Sequence, residues 1–168
     1  MSQRTAAYYI ESLRMEKHPE GGFYVPAFIS DEIISEDDLP ERYNSHRARF
    51  SSIYYLLKAD DKCCLHTLNT DEQWHFYDGG TLRLHAFRDK YEYYDMGRDL
   101  TSGMSLQLNI KKNTCFGAEV LHGDFVLVGC SLSPAFSFED HSWGNKKELL
   151  RIFPEQRHVI EQLAKDIF

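Results

Sequence analysis

Positive charge is scarce in this 168-residue chain, where 19 Lys and Arg stand against 26 Asp and Glu for a net charge of −7. A protein that grips a phosphate backbone needs clustered cations to displace counterions, so nucleic acid is excluded as the expected partner. Long apolar runs are missing too: no stretch approaches the roughly eighteen consecutive apolar residues of a membrane-spanning helix. Met1 to Thr5 lead into Ala6 without the apolar segment of a secretory signal. The expectation is a soluble, cytoplasmic protein with no membrane partner. The four cysteines, Cys63, Cys64, Cys115 and Cys130, form no Cys-x-x-Cys pair and sit in no small loop-rich frame. That spacing excludes a zinc knuckle and a disulfide scaffold and leaves reduced, partly buried thiols. There is no internal repeat and no low-complexity tract.

What is present is enough for one globular domain, residues 1–168, with 42% hydrophobic and 14% aromatic residues. Ala6, Tyr9, Ile10 and Leu13 recur at helical spacing behind Thr5 as N-cap, which predicts an amphipathic N-terminal helix within residues 1–17. His18-Pro19 ends it, because the residue before proline is pushed out of the α region, and Gly21-Gly22 permits a tight turn into an extended Phe23 to Ile29. Residues 31–48 read as an acidic, solvated loop able to flank the mouth of a barrel. From Phe50 onward the chain turns to short β-branched and aromatic runs: Phe50–Leu57, Cys63–Leu68, Glu72–Tyr77, Thr81–Phe87, Tyr91–Met96, Met104–Ile110, Thr114–Leu121 and Phe125–Leu132. Turn residues separate them, among them Asp78-Gly79-Gly80 and His122-Gly123-Asp124. This pattern predicts an antiparallel sandwich or barrel of jelly-roll type. Pro154 then suits the first turn of a C-terminal helix over 154–168, with Val159, Ile160, Leu163 and Ile167 on one face.

The stretch from His66 to Gly79 brings metal-capable side chains, strand patterning and a glycine turn together. Residues two apart on a strand share a face, so His66 and Leu68 point one way, and Glu72, Trp74 and Phe76 form a second same-facing set. His66 and Glu72 can thus converge on one point.

The spacing His66, Leu68, Glu72, Gly79 resembles the first cupin motif, His-x-His, three or four residues, Glu, six residues, Gly, with leucine at the second histidine. The block His18-Pro19-Glu20-Gly21-Gly22-Phe23-Tyr24, then Ser52 to Leu57, Asp71 to Phe76, Gly129-Cys130 and Ser133 to Phe136 resemble the DUF985 (Cupin_5) branch of that superfamily. The resemblance implies an all-β cupin double-stranded β-helix, a jelly-roll barrel with N- and C-terminal flanking helices, and a homodimer. It also implies a metal set of three histidines and one glutamate. Of these His66 and Glu72 remain, because the second motif places Lys111, Asn113 and Phe116 where proline, glycine and histidine belong.

Two chemistries follow, and a third reading has none. In the first, the protein binds a small molecule without a required cofactor. Its barrel pocket is lined by Tyr54, Trp74, Phe76 and Phe116, its polar groups are His66, Glu72 and Gln107, and His18 and Glu20 stand on a loop near the ligand. A histidine oriented by a carboxylate can act as general base, which would make the protein an isomerase- or epimerase-like enzyme on a polar metabolite such as a sugar nucleotide. In the second, His66 and Glu72 hold Fe, Mn, Ni or Zn for oxygenase-like chemistry, with His75 as third ligand only if a bulge turns it inward. In the third, the chain binds without reaction and His66 and Glu72 are hydrogen-bonded core residues.

Overall fold

The computed structural model describes residues 4–165. In chain order the elements are α1 (Ala6–Leu13), β1 (Glu16–Lys17), β2 (Phe23–Ile29), β3 (Ile33–Ile34), β4 (Arg47–Ala48), β5 (Ser51–Lys58), β6 (Lys62–Leu68), β7 (Glu72–Phe87), β8 (Tyr91–Met96), β9 (Gln107–Ile110), β10 (Cys115–Leu132), β11 (His141–Trp143), α2 (Lys146–Ile152) and α3 (Arg157–Leu163). None of the helices among the described residues is long and apolar enough to cross a membrane.

The two longest strands differ from the sequence expectation. Asp78-Gly79-Gly80 and His122-Gly123-Asp124 are not reversals; they are corners inside β7 and β10, which run through them as 16- and 18-residue strands. The reason is the closeness of the two backbones at the corner. A Cβ on Gly80 would lie 1.8 Å from the His122 carbonyl oxygen, and Gly79 and Gly123 take φ values of 104° and 91°. Glycine alone tolerates both conditions, so each strand bends and passes from one sheet to the other.

The antiparallel β7–β10 ladder extends from Cys115↔Phe87 to Leu132↔Glu72. Beyond the corner its two halves acquire different neighbours. The later half of β10 pairs with β5, which pairs with β2, while the first half of β7 pairs with β9. The early half of β10 pairs with β6, which pairs with β11, while the last half of β7 pairs with β8. Two sheets therefore face each other across one core, the antiparallel jelly-roll arrangement. Tyr55, Leu57, Leu82, Leu84, Phe116 and Val128 fill it.

Helices cover the outer faces. Thr5 Oγ1 accepts the Tyr8 N–H at 3.2 Å to start α1, and Arg14 at φ 54° closes it. The predicted N-terminal helix is thus shorter than 1–17: Glu16 and Lys17 pair with Tyr24 and Phe23 instead, and Met1 to Gln3 lie outside the described residues. α1 packs on Leu56, Phe125 and Leu127.

At the other end the chain forms two short helices where one was expected. Asn145 caps α2, Pro154 cannot continue it for lack of an N–H, and Pro154–Gln156 make a 3-10 turn before α3. Leu149, Ile160 and Leu163 close over Leu65 and Phe87, and Ile167 lies outside the described residues.

The acidic segment 31–48 is anchored. β3 pairs with β4, and the buried Arg47 guanidinium grips Asp140 through Nε to Oδ2 at 2.7 Å and Nη2 to Oδ1 at 2.9 Å.

Candidate functional site

The site begins with a miscount between two strands. Phe116 faces His66 and Ala118 faces Cys63, so two residues of β6, Cys64 and Leu65, lie opposite Gly117 alone. This bulge puts Cys63 and His66, three apart, on the same inward face, which regular alternation forbids. Gly117 permits it, since a Cβ there would meet the Cys63 carbonyl oxygen at 2.7 Å. His66 Nδ1 lies 2.8 Å from the Cys64 carbonyl. The Cys64 N–H turns outward from the ladder to donate to the Glu20 carbonyl at 2.8 Å.

That last bond ties the His18–Gly22 turn to the bulge. Gly21 and Gly22 take positive φ and press against the Lys62 and Leu56 carbonyls, so Glu20 is carried over the end of the barrel. Its carboxylate meets His141 Nε2 at 3.2 Å, His66 Nε2 at 3.5 Å, Cys63 Sγ at 3.7 Å and His18 Nδ1 at 3.8 Å. His141 arrives on β11, whose pairing sets it opposite the inward-facing Leu68.

The protons of this cluster follow from its partners. A carbonyl only accepts, so His66 Nδ1 carries a hydrogen and donates it to Cys64, leaving Nε2 turned toward Glu20. His18 Nδ1 accepts the Glu20 backbone N–H at 3.1 Å, which puts the His18 proton on Nε2. Burial lowers the pKa of His66 and of His18, with Glu20 opposing. Burial by itself would raise Glu20, but the facing imidazoles, His66 foremost, outweigh it and hold that carboxyl at about 2. His141 Nε2 is buried without a hydrogen-bond partner, close to Glu20 but not aligned with it.

The cluster adjoins a cavity of about 170 Å³ in the barrel mouth. Trp74, Tyr55, Tyr24, Phe136 and Leu68 form its walls, with His18, Glu20 and Glu72 as its imidazole and carboxyl groups. Glu72 Oε2 accepts the Trp74 indole N–H at 2.8 Å. Burial pushes the Glu72 carboxyl up to about 8, and the Trp74 bond only partly offsets that.

The expected site residues divide accordingly. His18, Glu20, Glu72 and Trp74 line the cavity. His66 lies beneath it with the Phe116 ring 4.2 Å from its own, and the carboxylate it meets is Glu20, whereas Glu72 is engaged with Trp74. Phe76 is a core residue. Tyr54 faces outward against Tyr77 and the α1 layer; its neighbour Tyr55 faces in and donates to the Gly21 carbonyl at 2.9 Å. His75 and Gln107 hydrogen-bond each other on the outer face at 3.1 Å, with Ser131 on the other side of His75. No bulge turns His75 inward, so it does not join His66. Sequence reasoning did not find His141, Cys63 or Tyr55; the last two lie on strands it did predict, while the run Asp140-His141-Ser142-Trp143 that carries His141 is too short to read as a strand.

The profile of the cupin superfamily (DUF985) matches residues 7–144. The chain belongs to that family. A solved protein of Shewanella oneidensis is similar to this cupin at 30% identity and a TM-score of 0.86, covering 97% of this chain and 99% of its own. A hypothetical protein from Leishmania major aligns at 25% identity and the same TM-score, over 97% and 100%. Oxalate decarboxylase from Bacillus subtilis shares the fold alone, at 13% identity, a TM-score of 0.51 and 36% of its length. No functionally curated protein matches this cupin in sequence.

Proposed function

We propose that this cupin binds a small molecule in the barrel cavity and holds a divalent transition metal, Fe, Mn, Ni or Zn, at its polar end through Glu20, Cys63 and His66. The observation that carries the proposal is the convergence of the Glu20 carboxylate, the Cys63 thiol and the His66 imidazole, all buried, with donor atoms within 4.8 Å of one another. Ligands bound at about 2.1 to 2.3 Å stand roughly 3 to 3.7 Å apart, which the distances from Glu20 Oε2 to His66 Nε2, 3.5 Å, and Cys63 Sγ, 3.7 Å, match. An imidazole, a thiolate and a carboxylate suit these metals. This donor set departs from the cupin motif positions, because Leu68 and Phe116 replace two ligands and Glu72 turns to Trp74.

When bound, the metal would polarise a ligand oxygen as a Lewis acid. The chain's own contribution is to exclude water with Trp74, Tyr55 and Phe136 and to set His18 in the cavity lining, its Nδ1 3.8 Å from Glu20 Oε2. A metal-independent isomerase would use that same His18–Glu20 pair, because His66 is shielded beneath Phe116 and does not line the cavity. A sugar nucleotide does not suit a cavity of about 170 Å³ whose lining holds no Lys or Arg.

A homodimer across β2 is part of the proposal. Beyond Tyr24 the outer edge of that strand has no partner among the described residues, and it exposes Phe28 and Ile29. The free thiols support a cytoplasmic setting.

Elemental mass spectrometry on untagged protein purified without chelator tests the metal. Near-stoichiometric metal is expected in the wild type and in Glu72→Ala, and its loss in Glu20→Ala and His66→Ala. Metal-free wild type, or retention in Glu20→Ala, overturns the assignment.

A further inference from the structure

The cavity wall holds acid without base. Two carboxyls, Glu20 and Glu72, reach it, and its lining includes no Lys or Arg. Glu20 is compensated by the imidazoles it faces. Glu72 is not: among the described residues its side-chain hydrogen-bond donor is the neutral indole of Trp74, bound to Oε2. A carboxyl buried among apolar groups without a counter-charge is costly in its ionised form, which is why burial pushes this one up to about 8.

The rings beside it follow one another edge to face along the cavity wall. Trp74 meets Tyr55 at 80° with centroids 5.7 Å apart, Tyr55 meets His18 at 63° and 5.2 Å, and His18 meets Tyr24 at 86° and 4.6 Å. All four line the cavity. Aromatic rings set edge to face around a space and closed by one carboxylate recognise alkylammonium groups, because the negative ring faces and the carboxylate attract the same diffuse cation. The volume agrees with a compact head group, since an apolar cavity of about 150 Å³ accepts a molecule the size of benzene. A phosphate or carboxylate ligand would meet two carboxyls and no Lys or Arg on this wall.

We infer that the cavity recognises a small organic cation, a substituted ammonium held between Trp74, Tyr55 and Tyr24 with Glu72 as its counter-ion. The inference rests on the reading of the cavity as the ligand site and does not need the metal. With a metal present it still holds, since the Glu20 carboxylate and a Cys63 thiolate would match the two charges of the ion.

Choline, its uncharged isostere bearing a tert-butyl group in place of the trimethylammonium, and benzene are titrated by calorimetry into wild type and Glu72→Gln, with metal content measured on each sample. Glutamine keeps the acceptor for Trp74 and the side-chain volume, so the variant should fold as the wild type does. The expected result is a preference of at least about tenfold for choline over the isostere, lost in Glu72→Gln at unchanged metal content. Equal or tighter binding of the isostere, or a preference that survives Glu72→Gln, overturns the inference. Benzene binding without choline binding also overturns it while leaving the cavity as a ligand site. Failure of all three probes sinks the cavity reading itself. A choline preference in metal-free protein upholds the inference and removes only the metal.

Discussion

Glu20 Oε2 faces His66 Nε2 at 3.5 Å, although no strand pairing joins their segments. What joins them is the bulge at Gly117, whose freed Cys64 N–H holds the Glu20 carbonyl. Gly117→Ala should therefore act on both fold and site. Its Cβ would lie 2.7 Å from the Cys63 carbonyl and 3.3 Å from the Leu65 nitrogen, so backbone must move. We expect a loss of about 1–3 kcal/mol in urea unfolding together with reduced metal content. A variant as stable as the wild type would show that the bulge is not needed.

Glu72 makes stability depend on pH. Its folded pKa is raised from 4.5 to about 8, so between those values the native state holds a proton that the unfolded chain has released. The stability conferred is complete below 4.5 and lost as pH rises toward about 8, at a limiting slope of about 1.4 kcal/mol per pH unit. In chelator-treated protein, wild type should lose more stability than Glu72→Gln between about pH 5 and about pH 8. Parallel losses in urea midpoints would contradict the burial of an uncompensated carboxyl.

The Arg47–Asp140 pair fastens the acidic segment beside the residue that precedes His141. Asp140→Ala leaves a guanidinium buried with only the exposed Glu139 at 3.1 Å as its carboxylate. The expected cost is about 3 kcal/mol, with faster proteolysis within residues 31–48. An unchanged cleavage pattern would mean that β3 and β4 hold the segment alone.

Phe116 stands where the cupin motif carries a ligand, its ring centroid 4.2 Å from that of His66. Phe116→His should destabilise metal-free protein by about 1–3 kcal/mol through an unsatisfied polar group. Added zinc or manganese should restore the thermal midpoint beyond the wild-type response, since a ligand that binds only the native state stabilises it. Equal shifts in variant and wild type would place any metal out of reach of position 116.

Much of the fold was readable because strand alternation, helix spacing and capping are local properties. Thr5, the strand runs and the helix face of Val159, Ile160 and Leu163 are examples. The corners at Gly80 and Gly123 were not, since a glycine turn that reverses a chain and one that bends a continuous strand look alike until the opposing backbone is placed. Tyr54 and Tyr55 were exchanged for a related reason: period two tells which residues share a face, but not which face looks inward.

By itself the sequence determined a cupin jelly roll with flanking helices, and it pointed to His18, Glu20, His66, Glu72 and Trp74 as chemically capable groups. The tertiary structure alone decided their partners: Glu20 in place of Glu72 for His66, Trp74 for Glu72, and His141 and Cys63 beside Glu20. The physical reason is that these meetings depend on one extra residue in β6, on a carbonyl from the N-terminal turn, and on a three-residue strand from beyond the last long one. Each is a long-range contact whose energy appears only once the barrel has closed.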